Sequence, residues 1–361
     1  MSRILVSAGG TGGHVFPALA VAKALQANGH DVVWVGTADR IEARVVPEAG
    51  FTFHGLPLQP LRGKGVLGLL KAPFNLLRAL RACARVVKAE APDLVIGFGG
   101  YTAGPVGVVA RQKGIPLVVH EQNAIPGLTN KLLAKIATRT LLGFADAKVF
   151  LGHADVTGNP VRDDICALHS TDAITIGSPL RILVIGGSLG AQHLNQTVPA
   201  ALARWCGPAL KVRHQVGAGR AAEVTAEYQE VAANVDVQVD EFIQDMAAAY
   251  QAADIVIGRA GALTVAELSM AGKASILVPY PHAVDDHQTA NAHVLSNRGA
   301  ALLLPQPECS ATRLCDELKV LANAPEHIKN MAANARREAP IAATAKIVAL
   351  CEALMVERKD V

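Results

Sequence analysis

The feature that most constrains the fold of this chain is a strand-and-glycine segment that occurs twice. Residues 3–14 read RILVSAGGTGGH and residues 181–191 read RILVIGGSLGA. In each copy a β-branched apolar run precedes a glycine cluster, and apolar residues at helical spacing begin near Pro17 or Asn195. Such a pattern predicts strand, loop and helix N-terminus, where glycines bring backbone N–H groups up to a phosphate. Two copies predict two nucleotide-binding halves, with a phosphorylated ligand in a cleft between them.

The length of the chain also favours two domains. Its 361 residues exceed the roughly 250 to 300 residues that one hydrophobic core serves. Apolar residues make up 51% and aromatic residues only 4%, which is typical of an Ala/Val/Leu-rich α/β enzyme. Six cysteines without a CxxC pair indicate neither zinc nor a disulfide framework.

Charge and hydropathy narrow the class of partner. A net charge of +3 is too small to indicate nucleic acid as a partner. The uncharged stretch 4–22 is interrupted by four glycines and Pro17, so it predicts a strand and a phosphate loop and not a membrane span or a signal peptide. We therefore expect the chain to stay in the cytoplasm.

Further strand patterns alternate with helical ones in both halves. They cover residues 31–36, 94–98 and 116–120 in the first half and 212–216, 235–239, 255–257 and 274–279 in the second. This alternation predicts βαβ units and parallel sheets. Breakers concentrate between residues 158 and 178, so we expect domains at 1–162 and 163–339, joined there.

Residues 62–89 are cationic and amphipathic. Seven basic residues and no acidic residue interleave with leucines and Phe74 in this segment. Such segments lie in anionic membrane interfaces, which predicts a peripheral membrane patch. The alternative, equally open from the pattern alone, is a helix that packs its apolar stripe on its own sheet.

The ends of the predicted parallel strands carry most of the unusual residues, as expected where α/β sheets bind ligands. The segment 258–268, GRAGALTVAEL, predicts a helix start that binds a diphosphate, with Arg259 as a positively charged partner of the phosphates. Glu267, in the predicted first turn, would accept hydrogen bonds from the hydroxyls of a ribose. The alternative is that these residues only stabilise the helix, because Thr264 and Glu267 have the spacing of a capping box.

His14 is the candidate general base. It follows the first glycine loop at a helix start, where the helix dipole keeps an imidazole neutral. The alternative is a histidine that only caps the turn or bonds a phosphate.

His120 and Glu121 are a rival pair of candidates for the base, and a regular strand would direct at most one of the two side chains into the cleft. His282, Asp285, Asp286 and His287 do not indicate a metal site; instead, Gln288 and Asn291 share a helix face that suits sugar hydroxyls.

Taken together, these segments resemble the MurG family of bacterial N-acetylglucosaminyltransferases over nearly the whole chain. The resemblance is carried by GGTGGH (9–14), GFGGY (97–101), HEQN (120–123), GNPVR (158–162), GGSLGA (186–191), GALTVAE (261–267) and DHQTANA (286–292). It implies the GT-B fold, two Rossmann-like domains with parallel sheets facing across a cleft. It also implies a final helix, at about 340–361, that returns to the acceptor-side N-terminal domain.

The resemblance assigns site residues position by position. His14 matches the base. The donor-binding positions are Thr11, Gly12, Gly13, Asn123, Arg162, Ser188, Ile243, Ala262, Leu263, Thr264, Val265, Ala266, Glu267 and Gln288. Ser188 and positions 262–266 would meet the diphosphate, Glu267 the ribose, Ile243 the uracil and Gln288 the N-acetylglucosamine (GlcNAc). The other positions would surround the sugar and the uracil.

The implied reaction moves GlcNAc from UDP-GlcNAc to the C4 hydroxyl of the muramyl sugar of undecaprenyl-linked lipid I, giving lipid II with inversion. It implies no cofactor and no metal, and a peripheral location on the cytoplasmic face of the inner membrane, against anionic lipid. Two alternatives stay open: a nonhydrolysing UDP-GlcNAc epimerase shares fold and donor, and a nucleotide-sugar binding protein would share the cleft. An NAD-dependent oxidoreductase is disfavoured, because its G-x-G-x-x-G motif is not found at either glycine cluster.

Overall fold

The structure, a computed structural model, describes residues 1–57, 66–169, 174–187 and 190–359. The chain forms two compact units, Met1–Arg162 with Ala342–Val361, and Asp163–Ile341. Each unit holds a parallel sheet with helices between its strands, which confirms the predicted α/β class. Within the described ranges, no helix has both the length and the apolarity needed to cross a bilayer.

The first unit alternates strands and helices from its first residues. Its elements are β1 (Arg3–Ala8), α1 (Gly12–Ala27), β2 (Asp31–Thr37), α2 (Glu42–Glu48), β3 (Thr52–Leu56), α3 (Val66–Glu90), β4 (Leu94–Gly99), α4 (Ala103–Gln112), β5 (Leu117–Glu121), α5 (Leu128–Ala134), β6 (Arg139–Leu142), α6 (Lys148–Leu151) and β7 (Asp155–Val156). Its sheet has the order β3-β2-β1-β4-β5-β6-β7.

The second unit repeats this plan. Its elements are α7 (Asp163–Cys166), β8 (Leu180–Ile185), α8 (Gln192–Leu202), β9 (Leu210–Gln215), α9 (Ala221–Glu227), β10 (Val235–Asp240), α10 (Met246–Ala252), β11 (Ile255–Gly258), α11 (Ala262–Ala271), β12 (Ala274–Leu277), α12 (His287–Ser296), β13 (Ala301–Leu303), α13 (Ala311–Ala322) and α14 (Pro325–Arg337). Its sheet has the order β10-β9-β8-β11-β12-β13. The chain then returns to the first unit as α15 (Ala343–Lys359).

Both sheets anchor their first strand in the same way. The N–H of Arg3 donates to Asp93 Oδ2 at 2.8 Å, and the N–H of Arg181 donates to Asp254 Oδ2 at 2.8 Å. Each aspartate directly precedes the neighbouring strand, β4 or β11, so the arginine that begins each repeated segment fixes the pairing of two central strands. The two glycine loops consequently leave the carboxyl edge of each sheet at its topological switch point.

The core of the first unit includes the last helix of the chain. Ile347, Cys351 and Met355 on α15 are almost fully buried in one cluster with Leu25 of α1 and Trp34 of β2. Their spacing of four residues puts them on one helix face. α15 is therefore part of the sheet-covering layer of this unit.

Three expectations about elements need correction. α1 begins at Gly12 and α8 at Gln192, ahead of the predicted Pro17 and Asn195. Glycines carry no side chain and so leave no apolar periodicity, which hides a helix start that they form themselves. Strands β3, β6, β7 and β13, which have two to five residues each, were not predicted.

The predicted cationic segment is helical from Val66, as α3, while Arg62 and Lys64 lie outside the described residues. The interpretation of a helix that packs on its own sheet holds for part of α3. Ala79, Cys83 and Val87 are buried against the sheet, whereas Phe74 is 72% exposed. Leu76 and Leu77 are also exposed beside Phe74.

Candidate active site

The first glycine loop places His14 in the first turn of α1. Thr11 is the N-cap residue with extended backbone, and its Oγ1 lies 3.4 Å from His14 Nδ1. A Cβ atom at Gly99 would lie 3.2 Å from His14 Nε2, so the absence of a side chain there leaves room at this nitrogen. The imidazole is half-buried, with its Nδ1 side towards Thr11. Gly12 and Gly13 present the first N–H groups of the helix beside it.

Glu42 holds the first glycine loop in place through hydrogen bonds, and nothing in the sequence pattern pointed to it. Its side chain is fully buried, and both carboxylate oxygens accept the N–H of Gly10 at 3.2 Å. Oε1 also accepts the N–H of Thr37 at 2.9 Å. A Cβ at Gly9 would lie only 2.4 Å from Glu42 Oε1, so glycine is required at this close approach. A buried carboxylate therefore fixes the backbone of the first glycine loop.

Glu121 organises the loop that contains Asn123. Its carboxylate is 1% exposed and accepts the N–H of Asn123 at 2.8 Å, the N–H of Gly127 at 3.1 Å and Nδ2 of Asn130 at 2.9 Å. Asn123 Nδ2 also donates to Glu121 Oε1 at 3.1 Å. The carboxylate thus acts on the shape of the loop and is buried away from solvent.

His120, the other member of the rival pair, is buried in a polar network. Its Nε2 lies 3.1 Å from Gly158 O, and its Nδ1 lies 3.0 Å from Gln122 Nε2. Burial lowers the pKa of His120 to about 4, although the bond to Gly158 opposes the shift. Nε2 therefore donates and Nδ1 accepts in a neutral ring. Neither His120 nor Glu121 is exposed as a base would be, because the whole end of β5 is covered.

The second glycine loop is supported by a neutral side chain. Gln215, at the end of β9, accepts the N–H of Gly186 at 3.2 Å and donates from Nε2 to Gly187 O at 3.1 Å and Glu241 O at 3.0 Å. It ties this loop to the segment after β10, which carries the buried Ile243. Ser188 lies outside the described residues. Arg162 is half-buried and ends the first unit, directly before α7.

The start of α11 provides backbone donors. Gly261 is its N-cap residue, and the N–H of Val265 donates to Gly261 O at 3.0 Å. The N–H groups of Ala262, Leu263 and Thr264 therefore lack acceptors within the helix. Val265 is fully buried and Ala266 nearly so; their N–H groups belong to the helical ladder. An anion at this helix start would meet residues 262–264.

The capping-box interpretation of Thr264 and Glu267 is wrong. Because the helix begins at Ala262 with Gly261 as its cap, Glu267 lies in the second turn, not in the first as predicted. Its Oε2 instead accepts the hydroxyl of the fully buried Tyr250 at 3.0 Å. Tyr250 therefore orients this half-buried carboxylate, which lies beyond the first turn of the helix.

The segment before α12 has an unusual backbone. Asp285 and Asp286 both have left-handed φ values, 53° and 52°, a conformation that is uncommon outside glycine and concentrates at functional sites. Directly after them, Gln288 Oε1 accepts the N–H of Tyr280 at 2.9 Å. This hydrogen bond fixes the orientation of the Gln288 carboxamide and therefore the direction of its NH₂ group. The described residues contain no group of three or more His, Cys, Asp or Glu side chains arranged for a metal ion.

Two residues expected at the ligand have structural partners. Asn291 is fully buried and its Nδ2 donates to Ala260 O at 3.2 Å, so it joins α12 to the loop before α11. Arg259 donates to Val278 O at 3.0 Å, Pro279 O at 3.1 Å and Gln306 Oε1 at 2.6 Å. Burial lowers the pKa of Arg259. These three bonds use three of the five N–H donors of Arg259, so its guanidinium group stabilises the carboxyl edge of the sheet.

This fold and these loops are those of a recognised glycosyltransferase family. The N-terminal domain of glycosyltransferase family 28 matches residues 4–142, and its C-terminal domain matches residues 181–346. The chain therefore belongs to glycosyltransferase family 28.

Individual relatives agree with this assignment. The UDP-N-acetylglucosamine--N-acetylmuramyl-(pentapeptide) pyrophosphoryl-undecaprenol N-acetylglucosamine transferase of Shewanella loihica is 49% identical, over 99% of this chain and 98% of its own length. The crystal structure of Acinetobacter baumannii MurG is 38% identical with a TM-score of 0.81, over 98% of this chain and 99% of that one. The predicted GT-B class and the resemblance to the MurG family are thus confirmed.

The epimerase alternative has a more distant counterpart. The UDP-GlcNAc 2-epimerase from Neisseria meningitidis, solved with UDP-GlcNAc bound, is 14% identical with a TM-score of 0.65. Since identity at this level shows the fold alone, it carries no argument for epimerase activity here.

Proposed function

We propose that this protein transfers GlcNAc from UDP-GlcNAc to the C4 hydroxyl of the N-acetylmuramyl group of lipid I, giving lipid II for peptidoglycan synthesis. The observation that carries the proposal is the 49% identity over 99% of the chain to an enzyme named for this transfer. Both units are matched by the corresponding family domains, so donor and acceptor halves are represented.

The donor binds the second unit. The open N–H groups of residues 262–264 and the Gln215-held glycine loop receive the diphosphate, which a helix N-terminus favours. Glu267, oriented by Tyr250, accepts the ribose hydroxyls, and the NH₂ of Gln288 donates to GlcNAc. Ile243 lies in the segment that contacts uracil, with Arg162 as a second contact. Ser188 belongs to the same diphosphate group by resemblance.

The chemistry is a direct displacement at C1 of GlcNAc. The C4 hydroxyl oxygen of the acceptor forms a bond to C1 as the bond from C1 to the diphosphate oxygen breaks, so the α-linkage becomes β. The hydroxyl proton goes to His14 Nε2, the nitrogen beside Gly99, while Thr11 lies at Nδ1. UDP departs with the electron pair, stabilised by preorganised N–H donors. Gly12, Gly13 and Asn123 position the sugar.

Product analysis tests this function directly. Purified protein is incubated with labelled UDP-GlcNAc, with and without a short-chain lipid I analogue. Acceptor-dependent release of UDP together with a disaccharide-lipid product is expected. Conversion of UDP-GlcNAc without acceptor would favour the epimerase, and an unchanged donor in both incubations would favour a binding protein.

We also propose that the protein is peripheral on the cytoplasmic face of the inner membrane, where a nucleotide sugar and an undecaprenyl lipid meet. Phe74, Leu76 and Leu77 form an exposed apolar patch on α3, on a helix with no acidic residue before Glu90. Phe74→Ser should reduce sedimentation with vesicles that contain anionic lipid. The matched control is Val320→Ser, at an exposed valine on α13. Equal sedimentation of both variants and the unmodified protein would contradict the membrane patch.

A further inference from the structure

A cavity in the first unit has not been used by the proposed mechanism. It has a volume of about 630 Å³ and lies between α3, the end of β3 and Tyr101. Arg78, Arg81 and Arg85 line it from α3. Because β3 ends at Leu56 and Tyr101 follows the end of β4, the cavity opens at the carboxyl edge of the sheet, the edge where α/β folds bind ligands.

The charge of this arginine cavity is uncompensated. No acidic side chain lines it, and none of the three arginines forms an ion pair within the described part of the chain. The sequence contains no Asp or Glu anywhere between Glu48 and Glu90. The residues on either side of the cavity in sequence therefore cannot supply a carboxylate.

The arrangement of the arginines fits a ligand with several oxyanions. Positions 78, 81 and 85 follow the helical repeat, so their side chains share one face of α3. They span about 10 Å at 1.5 Å per residue, which exceeds the reach of one phosphate group. Guanidinium groups bind carboxylates and phosphates through paired hydrogen bonds. Burial raises the pKa of Tyr101, so its phenol stays protonated and can add a donor.

The neighbouring glycine loop is less suited to the same anions. The N–H of Gly10 already donates to the buried carboxylate of Glu42 at 3.2 Å. A negative charge beneath the loop disfavours a second negative charge above it. The arginine cavity therefore suits these anions better than the first glycine loop does.

We propose that the arginine cavity binds the oxyanions of the acceptor that do not react, the carboxylates of its peptide or its diphosphate. This rests on the proposed transferase function and assigns it an acceptor site. The spread of about 10 Å favours groups distributed along an extended chain.

The test uses the double variant Arg78→Gln/Arg85→Gln and a water-soluble acceptor analogue without vesicles. We expect the acceptor KM to rise about 10-fold to 100-fold, as for the loss of charge-assisted hydrogen bonds, while the KM for UDP-GlcNAc stays within about twofold. Lys88→Gln is the control, since Lys88 is exposed on the same helix but does not line the cavity. All three residues are exposed, so a thermal melt should be unchanged.

A second acceptor analogue without the peptide separates the two sources of oxyanions. If the peptide occupies the cavity, the double variant and the parent protein have the same KM for this analogue; if the diphosphate does, the difference persists. An acceptor KM that is unchanged for both analogues would overturn the proposal. So would a defect confined to vesicle sedimentation, which would assign the arginines to membrane headgroups.

Calorimetry of the acceptor analogue without donor keeps this proposal separate from the transferase function. If the analogue binds in an arginine-dependent way but is not turned over, the acceptor site in the arginine cavity is supported and the transferase function is rejected. Turnover with an arginine-independent KM would reject the cavity alone, and the absence of both binding and turnover would reject both.

Discussion

The two glycine loops begin from nearly the same sequence but are held by opposite kinds of side chain. In the first unit, Gly10 donates to the buried carboxylate of Glu42; in the second, Gly186 donates to the carboxamide of Gln215. Each supporting residue lies at or just after the strand next to the central one, β2 or β9. The same turn can therefore carry a negative charge beneath it or none, and only the neutral arrangement suits a diphosphate.

The difference extends to the residue that follows each loop. The first loop ends in His14, whereas the second segment ends in Ala191. A buried anion favours the cationic form of an imidazole close to it, and a general base must reach that form during proton transfer. The comparison supports the proposal that proton transfer belongs to the first loop and diphosphate binding to the second.

The largest expected effect comes from His14→Ala, which makes the first loop resemble the second. Turnover should fall about 100-fold to 10,000-fold, the usual range for loss of a general base. Binding of UDP, measured by calorimetry, should be unchanged because His14 belongs to the other unit. Turnover close to that of the parent protein would remove His14 as the base.

The next effect is a pH dependence of the stability of the first unit, which comes from His120. The pKa of His120 falls from 6.5 when unfolded to about 4 when folded, so between these values only the unfolded chain binds the proton. The stability that the neutral ring contributes above pH 6.5 is lost as the pH falls to about 4, a loss of about 3 kcal/mol. Hydrogen exchange in β4 and β5 should speed up accordingly.

The control for this prediction is His120→Asn, which should be less stable at pH 7 but lose less protection between pH 6.5 and 4.5. His214 on β9 provides the comparison in the second unit, since burial lowers its pKa to about 3. Exchange in β8 and β9 should therefore show its own acid sensitivity in both proteins. An unchanged pH slope in the variant would refute the role of His120.

Gln215→Glu tests the neutral support of the second loop. A carboxylate beneath the diphosphate should raise the KM for UDP-GlcNAc about 10-fold, and more at higher pH as the buried acid ionises. Gln215→Met removes the hydrogen bonds without adding charge and should raise it less, with no pH trend. Equal effects of both variants would show that charge beneath the loop is unimportant.

Glu42→Gln is the reciprocal change and the smallest expected effect. Oε1 accepts the N–H groups of both Gly10 and Thr37, so an amide oxygen in its place keeps these two bonds and only the additional bond from Gly10 to Oε2 is lost. The free energy of unfolding should change by less than about 1 kcal/mol. Pyrophosphate should bind the first loop more tightly once the repulsion from the Glu42 carboxylate is removed, and it should therefore inhibit a few-fold more strongly. Glu48→Gln, at an exposed position on the same helix, is the control, and a large destabilisation by Glu42→Gln would show that the charge itself is needed.

The sequence predicts well what depends on local pattern. The run 94–98 lies in β4, because a fully buried parallel strand needs continuous apolar residues. The run 235–239 lies in β10, an edge strand in which valines alternate with polar residues. The glycine clusters correctly mark the turns after β1 and β8. The positions of His14 and Gln288 at helix starts likewise follow from local signals.

Contacts between distant residues could not be predicted in this way. Glu42 is 32 positions from Gly10 and lies in an ordinary helical pattern, so nothing local marks it as the support of a loop. Tyr250 and Asn291 were likewise invisible as partners of Glu267 and Ala260. Their roles depend on tertiary packing, which a single sequence does not show.

The return of α15 to the first unit bears on how the protein is made. A ribosome synthesises residues 1–162 first, yet the cluster around Leu25 and Trp34 is incomplete until Ile347, Cys351 and Met355 have emerged. The second unit can close its own core earlier, because all of its strands precede α15. The unit translated first is therefore the last to be completed during biosynthesis.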